Sequence, residues 1–337
     1  ASTAVALTVA GCGGKDPAPT PTPSPSASST PSPTPVSYSK FPLTAAVEMF
    51  TISAATSYTG DLAGPVTLGT AGTDSFSNRV RLSLQADVTA TSTPEEVVLE
   101  NALESRFKGE HLLTPPGAPA TGLTEYAYRT SDAATGKFSQ LERLNNTIKD
   151  KVTTDVALGR SYVSYAAWWR GDSTAGLKRV TYGTFGYPTV PSDMPSTGES
   201  TYIARIAGRV VTSPGAGASN IQKLGGTVTV RLNYATGLVN LTLDLTKADG
   251  TAYGTYTGTG AIASGNNQFT GSFGPGSPAG GTFQGLAYGP KATELGITFA
   301  ITGADSRAVG VVIGRQGCSA GDPRTKRPGA APAFFCF

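Results

Sequence analysis

The chain has 337 residues, with 26 Lys and Arg against 23 Asp and Glu, for a formal charge of +3. So small a charge does not argue for a nucleic-acid partner, which needs a clustered basic stripe; only the tail, with Arg315, Arg324, Lys326 and Arg327, is locally basic, and it reads as a solvated end. With 15% charged residues, 42 Gly and 24 Pro, the composition suits short strands and tight turns and argues against a helical bundle.

Residues 1–10, ASTAVALTVA, form an apolar run too short to cross a bilayer as a helix and suited to the core of a secretory signal peptide. Val9-Ala10-Gly11-Cys12 looks like a bacterial lipobox, with small residues before the cut and the Cys12 thiol taking the lipid. Residues 1–11 are then a signal-peptide remnant, Cys12 is the lipid attachment site, and membrane contact runs through the acyl chains. A buried or disulfide-bonded Cys after a cleaved signal is the alternative. Residues 12–40 read as a linker whose eight prolines between 15 and 35 alternate with Thr, Ser and Ala. Such a segment stays near polyproline II and extends for about 60 Å.

Residues 41–195 are expected to form a β-rich domain. Val80, Leu82, Leu84, Ala86 and Val88 alternate and predict a strand over 76–89. Residues 95–107, EEVVLENALESRF, put Val98, Leu99, Ala102, Leu103 and Phe107 on one side of a helix. A strand fits almost as well, and helix is the expectation. LTEYAYRT (123–130), GRSYVSYAAWW (159–169) and KRVTYGTFGY (178–187) read as strands. The Pro- and Gly-rich segment 187–198 is the expected link to the C-terminal half of the chain.

From 196 to 315 short alternating runs are separated by Gly-rich turns. Eight are countable, near 201–207, 226–233, 238–246, 251–259, 267–273, 281–287, 296–302 and 308–314. Eight antiparallel strands close a small barrel that side chains just fill. Glycines (Gly254, Gly258, Gly271, Gly285) mixed with Tyr253, Tyr256, Phe269, Phe273 and Phe283 predict a packed interior rather than a pore. Outward Thr, Asn, Asp and Arg oppose a transmembrane barrel.

The tail, 316–337, holds Cys318 and Cys336. If Cys12 carries lipid, these two remain as a pair for an oxidising compartment, and a bridge would stabilise the tail loop by roughly 3 kcal/mol. Two Cys and the lone, distant His111 cannot supply a four-ligand metal shell. One His without clustered carboxylates leaves little for acid–base or nucleophilic catalysis, so neither enzyme activity nor a cofactor is expected. Haem ligation by His111 or a Tyr stays open. Arg170-Gly171-Asp172-Ser173 spells an adhesion tetrapeptide that arises often by chance, and Ser37-Tyr38-Ser39-Lys40 lacks the context of a serine hydrolase. Of Trp168 and Trp169, one is expected to fill a core and the other to be exposed or to cover the barrel.

The segment GTFQGLAYGPKATELGITF (281–299) carries the skeleton Gly281, Phe283, Gly285, Tyr288, Gly289, Pro290, Ala292, Glu294, Leu295, Gly296 and Phe299. It resembles the signature of the transferrin-binding protein B family of surface lipoproteins, and 185–202 looks like the approach to the barrel in single-lobe members. The residues also make physical sense alone. Phe283 points into the barrel with Gly285 leaving room, Tyr288-Gly289-Pro290 turns the chain, and Glu294 is expected to bind amides of that turn. The resemblance implies a handle domain (41–195) and a filled eight-stranded barrel (196–315). It further implies a lipid-anchored protein on a Gram-negative outer membrane that binds an extracellular protein or an iron- or haem-bearing ligand. Its implied partners are a TonB-dependent receptor and a surface-export protein. The ligand-gripping loops of the two-lobed members have no match here, so no ligand-binding residue is assigned, and a structural or adhesive lipoprotein is the alternative.

Overall fold

The computed structural model describes residues 36–88, 95–118, 124–155 and 158–317. Cys12, most of the Pro-rich linker, Cys318 and Cys336 lie outside the described residues.

The N-terminal half supplies β1 (Val47–Phe50), β2 (Ile52–Thr59), β3 (Thr67–Thr73), β4 (Arg81–Leu84), β5 (Glu96–Glu100), β6 (Leu103–Phe107), β7 (Leu112–Thr114), β8 (Glu125–Asp132), β9 (Lys137–Leu144), β10 (Val163–Asp172) and β11 (Leu177–Gly186). They form a small sheet in the order β1-β4-β5-β6 and a large sheet in the order β3-β2-β11-β10-β9-β8-β7. The other half supplies β12 (Glu199–Thr212), β13 (Asn220–Asn233), β14 (Leu238–Lys247), β15 (Ala252–Ile262), β16 (Gln268–Phe273), β17 (Gly280–Tyr288), β18 (Glu294–Thr302) and β19 (Ser306–Gln316). These pair antiparallel in sequence order and close on themselves through β12 and β19.

The layers follow from which faces are apolar. The small sheet packs Leu82, Leu84, Val98 and Phe107 against Tyr126, Tyr128, Leu141 and Trp168 of the large sheet. The opposite face of the large sheet, with Ala54, Tyr165, Ala167, Val180 and Tyr182, packs on Leu286, Ala300, Val309, Val311 and Ile313 of the barrel wall. With both faces covered, the middle of β10 reads as an unbroken apolar run rather than an alternation. The two tryptophans divide as expected: Trp168 lies in the core between the sheets, and Trp169 packs toward the barrel with the Arg209 guanidinium 4.6 Å from its ring centre.

The barrel is filled. Val230, Leu241, Leu243, Phe269, Phe283, Ile297 and Phe299 share one interior cluster. Phe283 needs glycines around it, because a Cβ on Gly258 would stand 2.8 Å from its ring and one on Gly271 would overlap it. This is the small-with-large pairing that strong curvature requires.

Two expectations are corrected. Residues 95–107 are not a helix but the β5–β6 hairpin, turned through Asn101 and Ala102 at φ of 50° and 64°, the left-handed pair of a type I′ turn. The inward residues of β5 are Glu96, Val98 and Glu100. Two buried carboxylates thus hid the period-two signal. The strand expected over 76–89 is shorter, with only Arg81–Leu84 paired.

Candidate functional site

One depression lies where the small sheet stops short of the end of the large one. The β5–β6 turn overhangs the far ends of β8 to β11, leaving a groove of about 780 Å³. Its floor continues the face on which Trp168 sits: Arg170 and Asp172 follow Trp168 at alternate positions of β10. Ser139 and Lys137 oppose them on β9, and Thr130 and Asp132 lie one strand further out on β8. Leu103 and Leu177 stand on its rim, 61% and 60% exposed.

The floor is held rigidly. Arg170 donates to the Glu100 carbonyl (3.3 Å), the Val98 carbonyl (3.2 Å), the Leu103 carbonyl and the Ser105 hydroxyl (2.9 Å). Its guanidinium is therefore the underside of the β5–β6 turn. Burial holds it below the usual arginine range, against the pull of Glu100. Glu100 also takes Arg179 (3.2 Å) and the Thr181 hydroxyl (3.0 Å). Asp172 accepts from the backbone and hydroxyl of Thr174, which lower its carboxyl. The tetrapeptide Arg170–Ser173 is thus part of a strand and turn with Arg170 spent on internal contacts, not a free adhesion loop.

A second depression marks the seam between the large sheet and the barrel. The β12–β13 ladder runs to Tyr202↔Val230 and resumes at Gly208↔Leu224, leaving Ile203–Ala207 and Gly225–Thr229 unpaired with each other. A cleft of about 500 Å³ opens there beside Ile206, Leu224, Gly225, Tyr182 and Lys223. Beside it Arg209 grips Glu142 with one nitrogen (2.9 and 2.8 Å) and the Tyr182 hydroxyl with the other (2.6 Å), while Lys223 pairs with Glu125 (2.8 Å). Arg209 and Glu142 are both buried, so the network fixes how the barrel sits on the sheet.

The 281–299 signature forms β17, a turn and β18. A Cβ on Gly285 would strike the ring of Phe269, two of whose carbons would lie 2.6 Å away. Gly289 turns the chain at φ 69°, and its own Cβ would strike Tyr162. Leu295, Ile297 and Phe299 enter the barrel core. Glu294 is 6% exposed and does bind amides, but not those of the turn. It accepts from Ser161 (2.9 Å), Tyr162 (2.7 Å) and Val163 (2.9 Å), at the start of β10. The carboxylate therefore joins the barrel to the large sheet. Burial raises it above the ordinary carboxyl range, opposed by those three amides and by Arg160. Spacing alone could not reveal a partner 131 residues away.

His111 sits in a short 3₁₀ turn, its Nδ1 accepting from the Lys108 amide (3.0 Å). Among the described residues no group of three or more His, Cys, Asp or Glu could hold a metal ion, and no helix is long and apolar enough to cross a membrane.

The site and fold together define a β lobe of two stacked sheets on a filled barrel. No protein-family model and no curated protein matches the chain. Solved structures similar to it include the intact transferrin-binding protein B called Ap-TbpB, with N and C lobes (15% identity, TM-score 0.39, 79% of this chain and 46% of that one). A double mutant of the Haemophilus parasuis Hp5 protein of the same name is 12% identical, at a TM-score of 0.38 over 84% of this chain and 78% of that one. The isotype 1 protein of serogroup B Neisseria meningitidis is 14% identical, at a TM-score of 0.39 over 79% and 44%. The match thus spans less than half the length of the first and third of these chains.

Proposed function

We propose that this chain is a surface lipoprotein, anchored through an acylated Cys12 in a Gram-negative outer membrane, that binds an extracellular protein or an iron- or haem-bearing ligand. In this reading it serves a TonB-dependent importer as co-receptor and reaches the surface through a dedicated export protein. Residues 41–195 act as the handle domain and 196–315 as the barrel domain. Cys318 and Cys336 close a disulfide in the tail.

The observation that carries the reading is the 281–299 signature, set at the junction of a filled barrel and a stacked pair of sheets. A filled barrel supports it further, since recognition is left to outer surfaces and loops. Arg170 and Asp172 are engaged internally, which argues against adhesion through the Arg-Gly-Asp letters.

The test uses cells expressing the full gene. Labelled palmitate should enter the wild type and not Cys12→Ser, and protease added to intact cells should remove the folded part. Under iron limitation, expression should rise and the protein should retain a ligand in pull-downs. Absence of acylation would overturn the anchor, and full protection from protease would overturn the surface location. Unchanged expression with no ligand would overturn uptake.

A further inference from the structure

We propose that the end of the lobe where the described chain begins and ends docks on a membrane surface bearing anionic phosphate headgroups. It does so through a face of exposed cations interleaved with exposed apolar side chains. The proposal rests on the surface-lipoprotein reading above for the presence of a membrane, and it adds the face that meets it.

In the sequence only the tail is locally basic, but the fold brings Arg315 together with cations from five other segments. The Phe41 amide donates to the Ser161 carbonyl (2.7 Å) and the Leu43 amide to the Thr147 carbonyl (2.8 Å). These bonds set Lys40, Lys149 and Lys151 beside the start of β10. Buried Arg160 has Glu294, Arg315, Asp155 and Arg205 as its charged neighbours. Arg315 stands opposite Glu294 on β18 and Ile203 on β12. The Lys291 amide and the Tyr38 hydroxyl share Asp193, at 3.0 and 2.9 Å. Seven cations thus meet four carboxylates, Asp150, Asp155, Asp193 and Glu294, so this end alone matches the whole formal excess of +3. Two further carboxylates at this end, Glu125 and Glu199, are taken by Lys223 (2.8 Å) and Arg231. Arg205 is spent on Asp155 (3.4 Å) and Glu294 on the amides of β10. Lys40, Lys149, Lys151, Lys291 and Arg315 form no ion pair among the described residues.

Four of the eight exposed large apolar residues described lie at the same end, which selects lipid over a soluble polyanion. Val36 precedes Tyr38 by two residues, and Val190 gives its amide to the Tyr38 hydroxyl (3.0 Å). Ile203 faces Arg315 across the β12–β19 ladder. Leu238 opens β14 after the uncharged turn 234–237, which the Gln316 side chain ties to the end of β19 by donating to the Tyr234 hydroxyl (3.1 Å). Cations beside exposed apolar side chains are the pattern of an interfacial surface. The charges sit over phosphates while the apolar tips enter the headgroup layer. A nucleic acid or polysaccharide would use the cations and leave the apolar residues without a role.

The layout also favours a surface over a single small anion. The cations come from loops of the sheets, one barrel turn and two strands, and neither depression described above is lined by any of them. Each cation brought within a Debye length of an anionic leaflet strengthens partition roughly fivefold. The polypeptide leading to Cys12 leaves the fold at Val36, within this face. Docked in this way, the far end of β10, beneath the β5–β6 turn, points away from the lipid.

The experiment uses the full chain carrying Cys12→Ser, which no acyl group can hold at a membrane. It is mixed with vesicles of phosphatidylglycerol and phosphatidylcholine, or of phosphatidylcholine alone, and binding is read by co-sedimentation. Affinity should be at least tenfold higher for the anionic vesicles and fall as salt rises. Lys40→Glu, Lys149→Glu and Lys291→Glu together should lose at least tenfold. The control, Arg79→Glu, Lys108→Glu and Lys137→Glu, makes the same change of charge elsewhere and should stay within about twofold of the parent chain. All six side chains are exposed, so both variants should keep the parent melting temperature. Val190→Ser with Leu238→Ser should weaken binding severalfold. Bound vesicles should slow acetylation of Lys40, Lys149 and Lys291 but not of Lys108 or Lys137. Equal affinity for the two vesicles, equal loss in the two charge variants, no effect of the apolar pair, or tighter binding to soluble polyphosphate would overturn the proposal. Because no acyl group is present, such a failure would leave the anchor at Cys12 standing, and absence of acylation in cells would leave the vesicle result unchanged.

Discussion

Removing the Glu294 carboxylate tests whether the barrel and the large sheet are joined as described. Glu294→Ala takes away the acceptor of three amides at 2.7–2.9 Å and the neighbouring countercharge of Arg160, at a residue only 6% exposed. Hydrogen bonds to a charged group contribute about 1.5–3 kcal/mol each. Burial of the carboxylate offsets part of that sum, and losing one member of a buried charged cluster typically costs about 3–5 kcal/mol. We expect a loss in that range by urea unfolding, with faster amide exchange at Ser161, Tyr162 and Val163. Glu294→Gln separates charge from shape, because its amide NH₂ meets donors where the carboxylate met them as an acceptor. Here pH adds a sign. The folded-state pKa is raised, so the folded protein holds this proton more tightly than the unfolded chain. The linked stability is full at low pH and is lost as pH rises from the unfolded value, about 4.3, through the folded one. Gln has no such slope, so its deficit should narrow as pH rises from about 4 to neutrality. An Ala cost below about 1 kcal/mol, or a Gln deficit that widens with pH, would refute the reasoning.

Other substitutions probe separate joints. Arg143 and Glu96 form an ion pair buried completely between the sheets. Arg143→Ala should cost about 3–5 kcal/mol, whereas replacing both with Met and Leu should come near neutral in denaturant unfolding. Gly285→Ala should destabilise by about 1–3 kcal/mol through overlap with the Phe269 ring, and Phe269→Leu in the same chain should recover part of the loss. Ala102→Gly relieves a left-handed Ala at φ 64° and should raise stability by about 1 kcal/mol without moving the β5–β6 register. If Cys318 and Cys336 are bridged, alkylation of the acylated protein should find no free thiol until a reductant is added.

The barrel was legible because every strand is followed by a turn and those away from the large sheet, such as β13 and β14, alternate inward apolar with outward Thr, Asn or Asp. β17 to β19 carry apolar residues on both faces where the large sheet covers them. All eight expected runs fall on β12 to β19. The same rule failed at β5, where the side chains facing the core are Glu96 and Glu100 and the compensating cations, Arg143, Arg170 and Arg179, come from β9, β10 and β11. A local pattern cannot show that a carboxylate is buried when its partner lies 47 or more residues away. β10 and β11 were legible as strands but not as a middle layer, since an apolar run states that both faces are covered without saying by what. The groove was the least visible feature. Its walls come from 100–105, 130–139 and 170–179, none of them distinctive alone, and it exists because the small sheet ends before the large one does. The Arg-Gly-Asp letters mark part of that floor, yet the physical reason Arg170 is there is the set of carbonyls it holds beneath the β5–β6 turn. Replacing it should therefore loosen that hairpin first, and any change in binding should follow from the turn's displacement rather than from loss of an adhesion tetrapeptide.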